Sequence, residues 1–453
     1  MELQIDIGDE ALVGRSTPDP LRYAFSKKRA AHAGGRSAMV AADKVQSSLT
    51  NALNGAASGR PRCLYVHIPF CRVRCSYCNF FQYASSKALM ARYFDALMSE
   101  LRWKAAMPWT QAAPFQAVYI GGGTPTDLSA EQLTQLGKTL RELFPLTPDC
   151  EITLEGRVNR FGADKFEAAL EGGFNRFSFG VQSFNTQVRR SAKRLDDREV
   201  VLERLQSYRA YQAAPIVVDL LYGLPHQDEQ VWLQDLQDYL DVGVDGVDLY
   251  QLIEMQGLPM QTLVEQGKLP EPADTATKAG MFAMGVEFMA RHFQRRLSCN
   301  HWASGNRERS IYNSLAKTSA EILPFGAGGG GNVAGLQMMQ SRDIDCYIEA
   351  VEQQQFAVPM LSRASHDAAL FGAIKAGFDR GVLSQRALDQ QAGYRLFEQL
   401  SPLFSAWQGN GLVSLSEGYL SLTTAGQFWN VTLSQNLIGL LQAQPAATLQ
   451  QAG

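Results

Sequence analysis

From residue 63 onward, short apolar runs alternate with amphipathic stretches for almost two hundred residues. The runs cover 63–68, 115–120, 151–155, 175–180, 216–222 and 246–252, and are rich in Val, Ile, Tyr and Phe. Several end at Gly or a polar residue, as strands buried on both faces of a parallel sheet do. The stretches between them carry helical periodicity. Residues 85–105 place Leu89, Tyr93, Leu97 and Leu101 on one stripe behind Ser85 or Ser86 as N-cap. A second helix is predicted over 131–144, introduced by Ser129, and a third over 228–240 with Val231, Leu233, Leu236 and Leu240. Six strand-then-helix units predict an α/β fold, with a parallel sheet either doubly wound or curled into a partial (β/α)6 barrel, and with the site at the strand C-terminal ends.

The flanks read differently. Residues 1–60 show few apolar repeats and much Ala, Gly and Ser, so an irregular or partly helical arm is expected. Arg22, Lys27, Lys28, Arg29 and Arg36 fall there with no acidic residue among them, either a solvated run or a clamp for an anion. The core is placed at 61–300, with a helix at 274–293 after the prolines that follow the sixth strand. Residues 301–360 form a Gly-rich accessory or linker region, centred on Gly326 to Gly331. Helix candidates at 365–379, 384–391 and 395–406, two short strands and a final helix from Thr423 make 361–453 a C-terminal helical, winged-helix-like domain.

Composition narrows the function classes. The 42 Lys+Arg against 45 Asp+Glu leave a formal charge of -3 in 453 residues, which argues against a general nucleic-acid or membrane-surface binder. No run approaches the roughly 18 apolar residues of a membrane span, and the N-terminus lacks a signal peptide's order, so a cytoplasmic protein is expected. Seven cysteines, Cys71, Cys75 and Cys78 packed within one short stretch, are a poor layout for a secreted disulfide framework.

That stretch, Cys71-Arg-Val-Arg-Cys75-Ser-Tyr-Cys78, is the strongest chemical signal. Thiolates spaced by three and then two residues can hold three corners of a cubane iron-sulfur cluster and leave the fourth iron open to a ligand. A structural zinc site would want a fourth Cys or His at motif spacing, and Cys63, Cys150, Cys299 and Cys346 form no second pair. Gly121-Gly122-Gly123-Thr124-Pro125-Thr126 follows the second strand, where residues without side chains let a ligand approach the backbone.

With Tyr65-Val-His-Ile-Pro-Phe before it, the cysteine motif resembles the signature of radical S-adenosylmethionine (SAM) enzymes, in the branch of oxygen-independent coproporphyrinogen dehydrogenases and related heme chaperones. The resemblance implies a [4Fe-4S] cluster on Cys71, Cys75 and Cys78, whose open iron binds SAM and which, reduced, cleaves it to methionine and a 5'-deoxyadenosyl radical. In this branch two SAM molecules bind side by side. By resemblance Tyr65, Gly122 and Glu155 serve the cluster-bound one, and Tyr77, Gly123, Thr124, Gln182, Arg194, Asp219 and Ile253 surround the second. His67, inside the motif, is expected to support the loop.

Two departures choose the sub-branch. Asn79-Phe80-Phe81 stands where coproporphyrinogen dehydrogenases carry a further Cys, and Glu155 is followed by Gly156-Arg157 rather than Asn-Pro. The segment from Ala24 to Gly35, Cys299-Asn-His301-Trp302 and Ile322 to Gly326 instead resemble the heme-utilisation enzymes of the ChuW/HutW, anaerobilin synthase type. That implies anaerobic heme opening with release of iron and transfer of a SAM methyl carbon, with heme as substrate. It also implies a reducing partner such as a flavodoxin or flavin reductase, and a heme-delivery protein. The alternative is a heme chaperone; a coproporphyrinogen dehydrogenase fits least. For heme, Arg22, Lys27, Lys28 and Arg29 are candidate propionate partners, His301, Cys299 and His32 candidate iron ligands, and Trp302 either stacks or packs. The Gly326 to Gly331 loop is either a close approach to a flat ligand or a lid.

Overall fold

A computed structural model of the chain describes residues 3–28, 37–80 and 82–444; Arg29, His32 and Arg36 lie outside them. The six apolar runs are strands β1 (Arg62–Ile68), β2 (Phe115–Gly122), β3 (Leu146–Gly156), β4 (Arg176–Gln182), β5 (Ile216–Tyr222) and β6 (Gly246–Gln251). They lie side by side in that order and all pair in parallel. Between them run α1 (Lys87–Ala105), α2 (Ala130–Leu143), α3 (Ala163–Gly172), α4 (Arg198–Ala210) and α5 (Glu229–Val242). The caps explain where helices start. Ser129 and Gln132 form a reciprocal capping box on α2, and Asp228 accepts the Val231 amide at the start of α5. Asp274 does the same for α6 (Thr275–Arg291), accepting from Thr277.

Residues 301–360 are not a linker. They contribute β7 (His301–Ala303), β8 (Glu321–Phe325), β9 (Gly330–Val333), β10 (Leu336–Met339) and β11 (Met360–Arg363) to the same sheet. β8 pairs in parallel with β1 and so adds a seventh parallel strand, while β7 lies antiparallel to β6 at the other side. With two short edge strands the sheet reaches thirteen strands. The inner face is plugged by α7 (Ile311–Ala316), whose Tyr312 ring lies 4.7 Å from Tyr119 and 6.3 Å from Tyr65. Glu151 anchors this helix by accepting the Ile311 and Tyr312 amides.

The C-terminal region has the expected hairpin, Val413–Ser416 with Tyr419–Leu422, joined by a third strand, Val382–Ser384, among helices that include α8 (Ala368–Arg380) and α9 (Asn430–Ala443). The start of the chain is not a solvated arm. Trp407 Nε1 donates to the Leu12 carbonyl, Trp429 Nε1 to those of Pro20 and Leu21, and Asn436 to those of Ala11 and Leu12. Buried indoles and an amide thus satisfy its backbone and strap it to this domain.

Candidate active site

The cysteine loop begins where β1 ends. Phe70 and Cys71 form a short strand beside the glycine loop, and the Gly123 amide donates to the Ile68 carbonyl at 2.8 Å. A Cβ on Gly123 would lie 2.5 Å from the Phe70 carbonyl, and Gly122, at φ 114°, faces the His67 ring where a Cβ would lie 2.6 Å away. Only glycine permits that approach. Ser76 fastens the far end of the loop, donating to the Ser191 carbonyl while its own carbonyl accepts the Met260 amide. His67 supports the loop as expected: its Nδ1 lies 2.8 Å from the Tyr65 hydroxyl, and its carbonyl accepts from Tyr93. The glycine loop 326–331 is packed rather than open, since a Cβ on Gly326 would collide with that same carbonyl and with Tyr93.

Cys71 and Cys75 are buried and Cys78 half-buried. The Thr124 hydroxyl lies 3.2 Å from Cys71 Sγ, and Arg157 Nη2 lies 3.4 Å from Cys75 Sγ and 3.7 Å from Cys71 Sγ. Burial raises the thiols of Cys71 and Cys78; at Cys75 the Arg194 and Arg157 cations outweigh burial and pull it below the usual thiol range. Three thiols on one loop, beside two cations that favour thiolate, fit an iron-sulfur cluster with three protein ligands. Among the described residues no group of three His, Cys, Asp or Glu side chains is placed to hold one metal ion. Cluster ligands bind separate irons, so they need not converge on one point. Cys63, Cys150 and Cys299 are buried, and Cys346 is exposed on another helix.

The remaining site residues fall into two groups. Glu155, at the end of β3, lies under the glycine loop, its Oε2 2.5 Å from where a Gly121 Cβ would be. Burial pushes its carboxyl up to about 7, although the Gly122 amide, Tyr119 and Arg194 act the other way. Tyr77, Gln182 and Arg194 form the second group: Arg194 Nη2 donates to the Tyr77 hydroxyl at 3.1 Å. Gln182 holds φ 73° at a bulge, and the bare Gly180 beside it leaves room for the Gln182 amide and the Arg194 guanidinium. Thr124, grouped with these by resemblance, has its hydroxyl beside Cys71 Sγ. Ile253, after β6, is 44% exposed and lines two cavities, one of which it shares with Tyr77.

Asp219 lies deeper on the inner face, beside Ser178, in a buried charge network. Burial, then Asp248 and Glu155, push its carboxyl up to about 8. His301 belongs to this network, with both ring nitrogens facing carboxylates. Its Nδ1 lies 2.7 Å from Asp248 and its Nε2 3.3 Å from Glu308, ion pairs rather than aligned hydrogen bonds. Arg176 closes the chain at 3.0 Å from Glu308. Cys299 is buried against the Phe378 carbonyl, and Trp302 packs under the Arg296 guanidinium. Arg22 pairs with Asp19, and Lys28 with Gln251 and the Phe428 ring. Arg157, Asp248 and Glu308 were not singled out from sequence; only the departure at Gly156-Arg157 marked one of them.

No helix among the described residues is long and apolar enough to cross a membrane. Residues 65–239 match the radical SAM superfamily, whose members use a [4Fe-4S] cluster and SAM. The chain is 37% identical over 415 residues to the anaerobilin synthase of Escherichia coli O157:H7, covering 91% of this chain and 92% of that protein. It is 26% identical to the heme chaperone HemW of Bacillus subtilis, over 80% of this chain and 95% of the other. Its fold is that of the coproporphyrinogen III oxidase HemN from Escherichia coli, with a TM-score of 0.75, 22% identity, and coverage of 88% of this chain and 95% of that one. The chain therefore belongs to the radical SAM superfamily and, within it, to the family of the anaerobilin synthases.

Proposed function

We propose that this protein is an anaerobic heme-degrading radical SAM methyltransferase, which opens the porphyrin, adds a SAM-derived carbon to it and releases its iron. The observation that carries the reading is the 37% identity to an anaerobilin synthase along nearly the whole of both chains. The site is compatible with it. When bound, the reduced cluster supplies the electron that cleaves SAM.

The protein's own residues position and shield. Cys71, Cys75 and Cys78 hold the cluster, and Arg157 and Thr124 donate toward its sulfurs. Tyr65, Gly122 and Glu155 hold one SAM: the bare glycine backbone admits it, and Glu155 accepts hydroxyl protons in hydrogen bonds. Tyr77, Gly123, Thr124, Gln182, Arg194, Asp219 and Ile253 surround the second, where Arg194 offers a guanidinium to a carboxylate. Heme is the substrate, a flavodoxin or flavin reductase supplies the electrons, a heme-delivery protein brings the substrate, and the cytoplasm is the setting. The test is anaerobic incubation of the cluster-loaded protein with reductant, SAM and heme. Loss of the heme spectrum together with 5'-deoxyadenosine formation supports the reading. Recovery of intact heme in an acceptor protein without SAM turnover would favour a chaperone, which Asn79-Phe80 after the triplet allows.

A further inference from the structure

A cavity of about 610 Å³ opens between the end of β6, helix α7, the β9–β10 hairpin and helices α8 and α9. Its volume lies in the range of small-molecule and cofactor sites, roughly 300–1,000 Å³. Ile253 lines it and also lines a second cavity of about 350 Å³ whose wall includes Tyr77, the partner of Arg194. The two spaces therefore adjoin at Ile253, and the larger one borders the residues beside the cluster loop.

The wall contributed by α8 has a simple pattern. Ala368, Gly372 and Lys375 follow one another at i, i+4 and i+7, so one face of the helix presents two small residues and then a cation. The half-buried Ala368 and Ala369 leave width for a flat ligand, while the bare Gly372 lets the Thr318–Ser319 backbone pack close against the helix. Three cations line the cavity, and their states differ. Lys317 is already paired with Asp379 at 2.7 Å. Lys375 is half-buried and, among the described residues, no carboxylate or other acceptor engages its ammonium; burial alone lowers its pKa. Arg60, exposed at the rim, likewise has a guanidinium that no described residue engages. A desolvated ammonium without a counter-ion costs free energy unless an anion joins it.

We propose that this cavity is the tetrapyrrole site, with the macrocycle against Ala368 and Ala369 of α8 and its two propionates on Lys375 and Arg60. This rests on the functional reading above and assigns that substrate its place. It moves the anion-binding role away from the Arg22 to Arg29 segment, and it puts the ring edge toward Ile253.

The test is titration of the anaerobic, cluster-loaded protein with ferric heme and, separately, with heme dimethyl ester, whose propionates carry no charge. Wild type, Lys375→Met and Arg60→Met are compared by the heme absorbance shift, with circular dichroism as the check on folding. Each substitution should weaken heme binding about tenfold, the loss of one charge-assisted hydrogen bond. For the ester the three proteins should bind alike, which a merely structural lesion would not produce. Heme binding undiminished in both variants, or an equal loss for heme and ester, overturns the site while leaving the functional reading intact. Failure of the wild type to bind heme at all overturns both.

Discussion

The guanidinium of Arg157 points at the sulfur of Cys75, Nη2 to Sγ 3.4 Å, and its other terminal nitrogen donates to the Val73 carbonyl at 3.0 Å. The same Nη2 lies 3.7 Å from Cys71 Sγ, so one side chain spans two of the three thiols on the cysteine loop. Its position two residues after Glu155 is where the coproporphyrinogen dehydrogenase pattern has Asn-Pro, which offers no such cation.

Hydrogen bonds and positive charge at cluster sulfurs favour the reduced state. Arg157→Gln should therefore assemble the cluster but lower its reduction potential by roughly 60 mV, the one-electron equivalent of about 1.4 kcal/mol. A potentiometric titration followed by electron paramagnetic resonance measures this; Arg157→Lys should recover part of the shift.

Replacing Cys71, Cys75 or Cys78 by Ala should abolish the brown cluster absorbance and the iron content of the reconstituted protein. Replacing Cys63, Cys150 or Cys346, none of which lies on the loop, should leave both unchanged. A full cluster in Cys75→Ala would overturn the ligand assignment.

The glycine loop is a packing requirement with a chemical consequence. Gly123→Ala sets a methyl 2.5 Å from the Phe70 carbonyl, so the strand carrying Cys71 must shift. Cluster occupancy and SAM binding should both fall, by tenfold or more for SAM in equilibrium dialysis. Gly439→Ala is the contrast: it lies within α9 with nothing near its added methyl, and should stabilise by about 0.5–1 kcal/mol in denaturant unfolding.

The His301 network makes stability depend on pH. Burial alone would pull the imidazole down, but Asp248 and Glu308 outweigh it and hold it at about 9. The unfolded imidazole titrates near ~6.5, so its contribution is complete below that pH and is lost as pH rises through about 9. Asp219, held protonated to about 8, and Glu155, to about 7, add to the alkaline loss because the unfolded chain ionises them earlier. Glu308 has the opposite sign: burial would raise it, Arg176 and His301 hold it at about 2, and its contribution disappears only as acid approaches that value. For His301 the span corresponds to on the order of 3 kcal/mol. Urea midpoints of the cluster-loaded protein should fall between pH 6.5 and 9, and His301→Gln should flatten that decline.

The six parallel strands were legible because each is a short Val/Ile/Tyr-rich run, and their observed bounds depart mainly at β3, which starts at Leu146 ahead of the predicted 151. The turn-like Thr147-Pro148-Asp149 hides that extension. Strand β9 was not legible: Gly330-Gly331-Asn332-Val333 has no alternation to read, since glycines present no side chain, and a Cβ at Gly331 would strike the Ile322 carbonyl. That Cys71, Cys75 and Cys78 share one loop after β1 was readable from their spacing. The His301 to Asp248 pair was not, because it joins strands more than fifty positions apart.

Transfer of a SAM carbon to the opened porphyrin is the central claim, and carbon-13 in the SAM methyl group tests it directly. The cluster-loaded protein, reductant, labelled SAM and heme should yield, by mass spectrometry, a linear tetrapyrrole carrying the label, with 5'-deoxyadenosine and free iron. Formation of 5'-deoxyadenosine while heme remains intact and unlabelled would contradict the account.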